Sequence, residues 1–531
     1  MVPVTSGFLS IVLLLSGFLS ISAIADEPAA VRQPPRGENE TQPRNRGGQR
    51  NARGQGGSGL GNYTVPPPAN DVPQHLYNIV LGRPTDTGIT IRVLFHQPAT
   101  AHVEYGSVSG SLTEKTASRQ FAAKEAFDFV IGSLNRNSRY VYRLVYALSD
   151  GDQQTSDEYG FQTQRDVGSS FVFTVTSDSH LDENTSGEVY LRTLGNALGD
   201  APDFHFEMGD TFMTGKYVKP ELSEPQYLAQ RYYLGSLCHS APLFFALGNH
   251  DGEQGSRGSM VWATQTRKRL FPNPEPDGFY TGNDQSEPGI GLPQDYYQWK
   301  WGDAQFLVLD PFRYTTQRSR DGSNWSWTLG ERQYQWLKTS LESVEARYRF
   351  VFLHHLVGGS PGNSRGGVEV AKLWEWGGNG LDGTSEFDRR RPGWEMPVHD
   401  LLVKHGVSIV FHGHDHLFVK QDLDGIVYQE VPQPGHPRSG NTQTAIEYGY
   451  LSGETQSSSG YIRVQVGPGG GTSGLRQDVA AQFRKSNSTQ VFLMWCRRAQ
   501  SDSGPTCPPE TTVPVSDVGI LPDKRAVIER F

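Results

Sequence analysis

The sequence predicts an α/β body that follows a small all-β sandwich. Between residue 76 and about residue 165, short runs of alternating apolar and polar residues are separated by turn residues, as in an antiparallel sandwich. After Arg165, apolar strands that end in polar residues alternate with amphipathic helical stretches. Aspartate, asparagine and histidine residues collect directly after those strands. Because open α/β sheets bind ligands at the carboxyl ends of their strands, we expect the functional site at this edge.

The first 25 residues carry the features of an export signal. An apolar run extends from Phe8 to Ile24 and ends in Ala-Ile-Ala before Asp26. This pattern predicts a secretory signal peptide over residues 1–25, cut after Ala25, and an uncleaved membrane anchor is the alternative. No second apolar run of spanning length follows. We therefore expect a secreted or periplasmic protein with no membrane span after signal cleavage.

Residues 26–75 are rich in arginine, glycine and proline and contain few apolar side chains. Such a segment cannot bury enough surface to offset its chain entropy, so we predict a disordered linker. A flexible spacer is the favoured interpretation, and an Arg-Gly tract that holds a polyanion is the alternative. We expect no specific nucleic-acid recognition.

Composition disfavours one class of protein and excludes another. The chain has 531 residues and a formal net charge of −9, an acidic excess that disfavours a general polyanion binder. Three cysteines in so long a chain exclude a disulfide-built scaffold. Cys496 and Cys507 both lie in the tail, where they could form a local disulfide or remain two thiols.

Two domains and an extension follow the linker. The run from Leu134 to Tyr142 resembles the penultimate-strand corner of a fibronectin type III module, so we predict a fibronectin III-like β-sandwich over residues 76–166. Residues 167–466 are predicted to form the α/β body, with strands at 171–176, 204–208, 243–247, 306–309, 350–353 and 407–411 and helices at 187–199, 223–237, 328–344 and 396–405. Residues 467–531 are predicted as a partly irregular C-terminal extension.

Five predicted strands of the α/β body end in metal-binding residue types. In chain order the ends are Asp178-Ser179-His180, Gly209-Asp210, Gly248-Asn249-His250-Asp251, His354-His355 and His412-Gly413-His414-Asp415-His416. One such end is ordinary, but five in one sheet predict a metal site. Carboxylate oxygens, an amide oxygen and imidazoles, without a thiolate, form a ligand set that suits Fe, Mn or Zn.

This ordered pattern resembles that of the calcineurin-like metallophosphoesterases. Their motifs D-x-H, G-D, G-N-H-(D/E), a lone histidine after a strand and G-H-x-H occur here in order, across about 170–420. The resemblance implies a four-layer α-β-β-α sandwich with two metal ions at the sheet edge. By position, it assigns the first metal to Asp178, His180, Asp210 and His416. It assigns the second metal to Asp210, Asn249, His354 and His414, so that Asp210 bridges the pair.

A pair of metals predicts a hydrolytic mechanism. Two cations roughly 3.5–4 Å apart repel each other and need an anionic bridge, and a second bridge from solvent would be acidified to hydroxide near neutral pH. We expect that hydroxide to attack phosphorus in line, while the metals, two divalent or mixed-valence ions of Fe, Mn or Zn, neutralise charge on the phosphoryl oxygens. His250 is predicted to hydrogen-bond the transition state or to protonate the leaving group, with Asp251 orienting it. His412 is a second candidate, for substrate contact or for support of the ligands.

Two long segments are expected to shape the substrate pocket. Segment 358–383 begins just after the predicted ligand His354 and is too rich in glycine to be regular structure over most of its length. We expect it to overhang the metals, with Arg365 contacting a phosphate or another acidic group. Segment 252–300 is a weaker candidate, in which Arg257 has the same role.

With a sandwich module ahead of the α/β body, the chain also resembles the purple acid phosphatases and their bacterial relatives, but it departs from them at two positions. In that family a tyrosine that ligates ferric iron stands three positions after the bridging aspartate. Here Met213 stands there after Asp210, and Tyr217 is too far along the chain. The resemblance therefore implies no tyrosinate ligand and no purple charge-transfer band. The lone-histidine motif lacks the proline that often follows, which leaves His355 as an alternative to His354.

These features predict an exported dimetal hydrolase of phosphate esters, acting on a small molecule or on a phosphorylated polymer. Phosphomonoesterases and phosphodiesterases need the same metal pair, so the ligands do not separate them, and a phosphomonoesterase is the favoured interpretation. The alternative from another class is a catalytically silent surface protein, in which the sandwich and the Arg-Gly tract mediate adhesion. A degraded enzyme normally loses a ligand, and this sequence retains the whole set.

Overall fold

The computed structural model describes residues 63–64, 72–149, 151–316, 323–437, 442–467, 479–485, 491–497 and 512–513. The predicted signal peptide, most of the predicted linker and the predicted pairing of Cys496 with Cys507 lie outside the residues described at side-chain level. Within the described part of the chain, no helix is long and apolar enough to cross a lipid bilayer.

Alternating strands build the N-terminal all-β region. These strands are β1 (Tyr77–Gly82), β2 (Ile89–Phe95), β3 (Ala99–Gly106), β4 (Glu114–Lys115), β5 (Arg119–Phe121), β6 (Ala126–Ile131), β7 (Arg139–Leu148), β8 (Gln154–Thr155) and β9 (Tyr159–Gln162). One antiparallel sheet has the order β1-β2-β6, and the other is centred on the β3-β7 pair. The Tyr140 hydroxyl accepts a hydrogen bond from the Asn135 amide at 2.9 Å, which is the corner geometry of a fibronectin III-like sandwich.

The first sheet of the α/β body begins with three parallel strands, each of which ends at a predicted metal ligand. Its strands are β10 (Phe171–Thr176), β11 (Phe204–Glu207), β12 (Leu243–Phe245), β21 (Gly460–Val466), β22 (Val479–Lys485), β23 (Val491–Arg497) and β24 (Thr512–Val513). The order is β12-β11-β10-β21-β22-β23-β24, with β21 antiparallel to β10. Strands β22 to β24 belong to the predicted C-terminal extension, so that part of the chain continues this sheet.

The second sheet supplies the remaining site residues. Its strands are β13 (Thr281–Gly282), β14 (Tyr297–Trp301), β15 (Ala304–Val308), β16 (Tyr348–Phe352), β17 (Ile409–His412), β18 (Leu417–Leu423), β19 (Ile426–Glu430) and β20 (Glu454–Ser457). They lie in the order β13-β14-β15-β16-β17-β19-β18-β20. The centre, from β15 through β16 and β17 to β19, is parallel.

Helices cover the outer faces of both sheets. The helices are α1 (Gly187–Gly199), α2 (Glu224–Cys238), α3 (Met260–Leu270), α4 (Gly330–Ser343), α5 (Trp374–Gly377), α6 (Phe387–Arg390), α7 (Val398–Lys404) and α8 (Gln443–Glu447), with 3-10 turns at Thr214–Lys216 and Pro220–Ser223. Side chains of α1 and α2 pack on the first sheet, and those of α4 and α7 pack on the second.

An aromatic core joins the inner faces of the two sheets. The rings of Phe206 and Phe352, one from each sheet, stack with centroids 3.8 Å apart, and Phe173 meets Phe306 edge to face at 5.4 Å. Burying apolar surface of this size is the main force that holds two sheets face to face. The predicted four-layer α-β-β-α sandwich, with an all-β region before it, is therefore confirmed.

Candidate metal centre

The predicted ligands meet where strands of both sheets end. Asp178 follows β10, Asp210 follows β11 and His354 follows β16, while His414 and His416 lie in the turn between β17 and β18. Because the sheets pack face to face with these ends on the same edge, residues far apart in sequence come together. Six of the predicted ligands fall into two groups, whose possible donor atoms lie within 4.8 Å of one another: Asp178, His180 and His416, and Asp210, His354 and His414.

Asp210 lies between the two groups. Its Oδ2 atom is 3.4 Å from Nε2 of His354, in its own group, and 3.9 Å from Nε2 of His180, in the other. Its Oδ1 atom accepts a hydrogen bond from the His250 amide at 2.7 Å. One carboxylate oxygen is thus held by the protein while the other faces both groups, which is the arrangement a bridging ligand needs.

Four buried polar atoms support a metal centre here. Asp178 Oδ1, His180 Nε2, His354 Nε2 and Asn249 Oδ1 have no hydrogen-bond partner within the protein. A buried polar atom without a partner costs about 1–3 kcal/mol, so a group of them in one region fits the binding of an electropositive ion. Asn249 is the seventh predicted ligand, and it directly precedes His250, whose amide is bonded to Asp210. The residues present therefore fit a pair of metal ions.

Hydrogen bonds on the far side of each ring decide which nitrogen faces the site. Nδ1 of His354 donates to the Met208 carbonyl at 2.9 Å, and Nδ1 of His180 faces Asp182 Oδ2 at 3.1 Å. Both rings therefore present Nε2 to the site. His414 is the reverse case, because its Nε2 lies 3.0 Å from the Asn363 carbonyl, which can only accept. Its free donor for a metal is Nδ1.

The carboxylates of the site stabilise positive charge on the groups next to them. Burial lowers the pKa of His354, but the Asp210 and Asp178 carboxylates outweigh it and raise the pKa to about 10. The pKa of His180 is likewise raised to about 9, since Asp178 and Asp182 outweigh its burial. Protons on these rings must leave when a metal ion binds.

The ligand-bearing turns have strained backbones. Five ligands have positive φ angles: Asp178 58°, His180 50°, Asp210 52°, His414 81° and His416 60°. Such conformations cost on the order of 1–3 kcal/mol each and persist only where the surroundings enforce them. The glycines of the G-D and G-N-H motifs allow two of these turns to touch, because a Cβ on Gly248 would lie 2.1 Å from the Asp210 amide nitrogen.

Asp251 does not orient His250 as the sequence suggested. Its carboxylate accepts hydrogen bonds from four backbone amides, those of Gly248, Asp210, Thr211 and Phe212, at 2.7–3.1 Å. Among the described contacts, none joins it to the His250 ring. It ties the Asp210 turn to the Asn249 turn and thus holds ligands from two strands together.

His412 is buried beside Glu430. The ring is buried, and its Nδ1 is 2.7 Å from Oε2 of Glu430, the residue opposite it on β19. Burial lowers the pKa of His412 to about 3 and raises that of Glu430 well above its ordinary value, so the two form a neutral pair. Of its two predicted roles, the structure favours support of the ligand turn, because the Asp415 amide donates to the same glutamate at 2.9 Å.

The two predicted substrate-binding arginines lie in different surroundings. Arg365 Nη1 donates to the His414 carbonyl at 2.8 Å and to Asp415 Oδ1 at 2.7 Å, so it is occupied by protein groups. Arg257 is half-buried beside Gly215, whose amide donates to the His250 carbonyl at 2.8 Å. Arg257 is thus on the His250 side of the site.

His355 is a packing residue. Its ring contacts those of Trp327 and Phe312, with centroids 4.8 Å and 5.0 Å away, and its Nδ1 lies 2.8 Å from the Leu356 carbonyl. His354, which faces Asp210, is the residue that the structure places in the second group.

No tyrosine replaces the missing ligand within the described residues around Asp210. Met213 is fully buried, and the Tyr217 hydroxyl donates to Gln226 at 3.0 Å. His180 is the residue that completes the first group in its place.

Sequence reasoning missed an ion pair, Asp182 with Lys216, next to Nδ1 of His180. Asp182 Oδ2 accepts from both the His180 ring and Lys216 Nζ, the latter at 3.0 Å. Tyr63, which belongs to the predicted linker, exchanges backbone hydrogen bonds with Lys216 and Val218 at 2.9 Å and 3.0 Å. An acidic residue two positions after a predicted histidine ligand was the signal for Asp182, but the sequence offers none for Tyr63.

Comparisons with known proteins agree with this fold. Residues 171–418 match the family model described as calcineurin-like phosphoesterase. The solved structure of PhoD resembles the fold with a TM-score of 0.56 and 13% identity, over 82% of this chain and 92% of that one. Purple acid phosphatase PPD1 from yellow lupin (Lupinus luteus) seeds resembles it with a TM-score of 0.52 and 16% identity, over 78% of this chain and 73% of that one. At these identities the likeness establishes the fold alone. A search of curated proteins finds no match.

Proposed function

We infer that the protein is a metal-dependent hydrolase of phosphate esters, because residues 171–418 match the family model described as calcineurin-like phosphoesterase. The observation that carries this conclusion is the pair of metal-binding groups with Asp210 between them. We propose that the first metal binds Asp178, His180, Asp210 and His416, and that the second binds Asp210, Asn249, His354 and His414. Two such ions would acidify a bridging water for in-line attack on phosphorus and neutralise the phosphoryl oxygens.

His250 is the proposed hydrogen-bond donor to the substrate. Its ring is 24% exposed, and Nε2 lies 4.0 Å from Asp210 Oδ2, so it borders the site without belonging to either group. Burial lowers its pKa to about 3, although the Asp210 carboxylate opposes this shift, and the positive charges of Lys216 and Arg257 act with burial. A neutral ring at physiological pH can donate an N–H hydrogen bond to a phosphoryl oxygen.

Charge balance supports a phosphomonoesterase over a phosphodiesterase. Lys216 and Arg365 are each paired with an aspartate, so they add little net charge. Asp178 and Asp210 together with two divalent ions and one hydroxide leave a single positive charge, enough for a diester monoanion. Arg257 lies on the His250 side, where a positive charge would favour the dianion of a monoester. The phosphodiesterase remains the alternative on the same metal site.

The test of this function is metal content followed by hydrolysis. Purified protein is analysed for bound metal and then assayed with p-nitrophenyl phosphate and bis-p-nitrophenyl phosphate. We expect two ions per chain, loss of activity with a chelator and a higher kcat/KM on the monoester. Protein that binds two ions and cleaves neither ester would instead support the silent surface-binding protein.

Replacing the Arg257 charge is expected to change the preference between the two esters. For Arg257→Gln we expect kcat/KM on the monoester to fall about 10-fold to 100-fold, and that on the diester to fall less than about 3-fold, since a charge-assisted hydrogen bond contributes about 1.5–3 kcal/mol. Arg269→Gln, which removes an exposed arginine paired with Glu224, is the control. An equal fall for both esters would mean that Arg257 does not interact with the second negative charge of the monoester.

The missing tyrosine ligand predicts the absence of a purple colour. When the protein is loaded with iron, oxidised and brought to one ferric ion per chain, we expect no tyrosinate charge-transfer band in the visible spectrum. The physical reason is that Met213 cannot ligate as a phenolate and the Tyr217 hydroxyl is bonded to Gln226. A visible band that disappears in Tyr217→Phe would contradict this assignment.

We also propose that the protein is exported, on the strength of the signal-peptide pattern in residues 1–25. A secreted or periplasmic enzyme would meet phosphate esters outside the cytoplasm, either small molecules or phosphorylated polymers.

A further inference from the structure

The His414 ring is fixed by a loop that starts at another ligand of the same group. Segment 358–383 begins shortly after His354, and the Asn363 carbonyl in it lies 3.0 Å from His414 Nε2. This contact leaves only Nδ1 of His414 for the group that contains Asp210 and His354. The loop thus joins two ligands of the second metal.

The backbone of His414 is held at both ends. Its φ angle is +81°, an unfavourable conformation for a residue with a side chain. Its amide donates to Asp178 Oδ2 at 2.8 Å, and its carbonyl accepts from Arg365 Nη1 at 2.8 Å. Removing Arg365 removes one of the two bonds that maintain this conformation.

Arg365 is itself part of a closed network. The same Nη1 donates to Asp415 Oδ1, and Asp415 Oδ2 accepts from the Gly366 amide at 2.9 Å and from the Tyr450 hydroxyl at 2.6 Å. The guanidinium carbon lies 4.2 Å from the centre of the Tyr448 ring. Only 21% of the arginine side chain is exposed. A side chain that is bound on all these sides stabilises the turn around it and is poorly placed to contact a substrate.

The loop around Arg365 is tightly packed. The Ser360 amide donates to the Arg365 carbonyl at 2.8 Å, and the Ser364 amide donates to the Ser360 carbonyl at 3.0 Å. A Cβ on Gly359 would lie 2.2 Å from the Ser364 carbonyl oxygen, so the turn has no room to open locally. Asn363 and Arg365, which both contact His414, therefore belong to one tightly packed turn.

We propose that Arg365 is a positioning residue that sets His414 for the second metal ion, so that the loop after His354 controls the affinity of that site. The inference rests on the proposed dimetal function. It replaces the substrate-contact role that the sequence suggested for this arginine. The first site is linked to this loop less directly, because among the described contacts no hydrogen bond joins Asp178, His180 or His416 to residues 358–366, and only the charge of Arg365 acts on Asp178 and His416.

The experiment is a metal titration that does not depend on activity. Metal-free protein is titrated with Mn²⁺, the bound metal is counted, and electron paramagnetic resonance distinguishes coupled pairs from single ions. For Arg365→Ala we expect the site that His354→Ala also weakens to lose about 10-fold to 100-fold in affinity, as is usual when the partner of a metal ligand is lost. The other site should change less than about 3-fold, and the spectrum should shift from pairs to single ions, as in His354→Ala, which serves as the reference.

Two gentler variants keep the test valid if Arg365→Ala folds poorly. Arg365→Lys retains the charge but cannot hold two acceptors and stack on a ring in the same way, so we expect an intermediate loss. Tyr450→Phe removes only the hydroxyl bonded to Asp415 and should weaken the same site by a smaller factor.

The matched control is Arg391→Ala. Arg391 is also half-buried, paired with a buried glutamate, Glu375, and stacked 5.4 Å from the Trp325 ring, but it contacts no predicted ligand. We expect both metal sites to keep their affinities in this variant.

Equal metal loss in Arg391→Ala would overturn the inference, since a general loosening of the fold would then explain it. Arg365→Ala that binds both ions normally and only raises KM would also overturn it, by showing a substrate contact. Wild-type protein that binds fewer than two ions would overturn the proposed function itself.

Discussion

Asp210→Asn is expected to lower kcat/KM by at least about 10³-fold, close to 4 kcal/mol of transition-state stabilisation, because one residue serves both metal ions. Asparagine keeps the oxygen that accepts from the His250 amide but presents an uncharged group where the bridging carboxylate oxygen lies between His180 and His354. Two cations without an anionic bridge repel each other. The measurement is kcat/KM together with metal content, and we expect fewer than two ions per chain.

Asp203→Asn is the matched control for this change. Asp203 is also a buried aspartate, but it is paired with Arg165 at 2.8 Å and accepts from the Trp301 indole at 2.9 Å, away from the metal groups. We expect this variant to lose stability in thermal unfolding and to keep two ions and its activity per folded molecule. Asp210→Asn that hydrolyses as fast as wild type would remove the enzymatic interpretation.

The metal site was predictable because its ligands follow strands at once. A residue directly after a strand has little freedom in where it can lie, so the order of strands in two packed sheets fixes which ligands meet. The strand predicted at 171–176 is observed at Phe171–Thr176, and Asp178 lies at its end. The neighbouring turns then bring Asp178 and Asp210 into separate groups of one site.

The residues that support the ligands were less predictable. Asp251 follows His250 in sequence, yet its carboxylate bonds backbone amides of the Asp210 turn, because consecutive residues in a tight turn point in different directions. The two roles predicted for His412 stayed open for another reason. It lies within β17 directly opposite Glu430, so its contacts are decided by the register between strands, which one sequence does not reveal.

Loop contacts were the hardest to predict. Arg365 and Asn363 reach His414 through a long glycine-containing loop whose path follows no periodic pattern. Tyr63 is similar, since the residues on either side of it, Asn62 and Thr64, are polar and predict no packing, but its aromatic ring lies 5.5 Å from that of Tyr217. Isolated anchors of this kind depend on a surface that forms only after the body has folded.

His250→Ala is expected to lower kcat/KM by about 10²-fold to 10³-fold, the usual cost of removing one hydrogen-bond donor aimed at developing charge. The sequence left two roles open for His250, and we predict hydrogen bonding in preference to proton donation. Its pKa is lowered to about 3, chiefly by burial, and bound metal ions would lower it further in the same direction. A group with so low a pKa is neutral across the range from pH 5 to 9 and holds no extra proton to give.

Two measurements separate these roles. If His250 donates a hydrogen bond to a phosphoryl oxygen, His250→Ala should lose the same factor on an aryl ester and on an alkyl ester, and His250→Gln, which retains an N–H donor, should recover to within about 10-fold of wild type. The pH profile of kcat/KM should keep its shape in His250→Gln, since no titration near pH 6.5 is lost. His399→Gln, on α7 and bonded to Tyr428, is the control that should leave all three quantities unchanged. A loss in His250→Ala that is much larger for the alkyl ester would show proton transfer to the leaving group, because an alkoxide needs that proton far more than a nitrophenolate does.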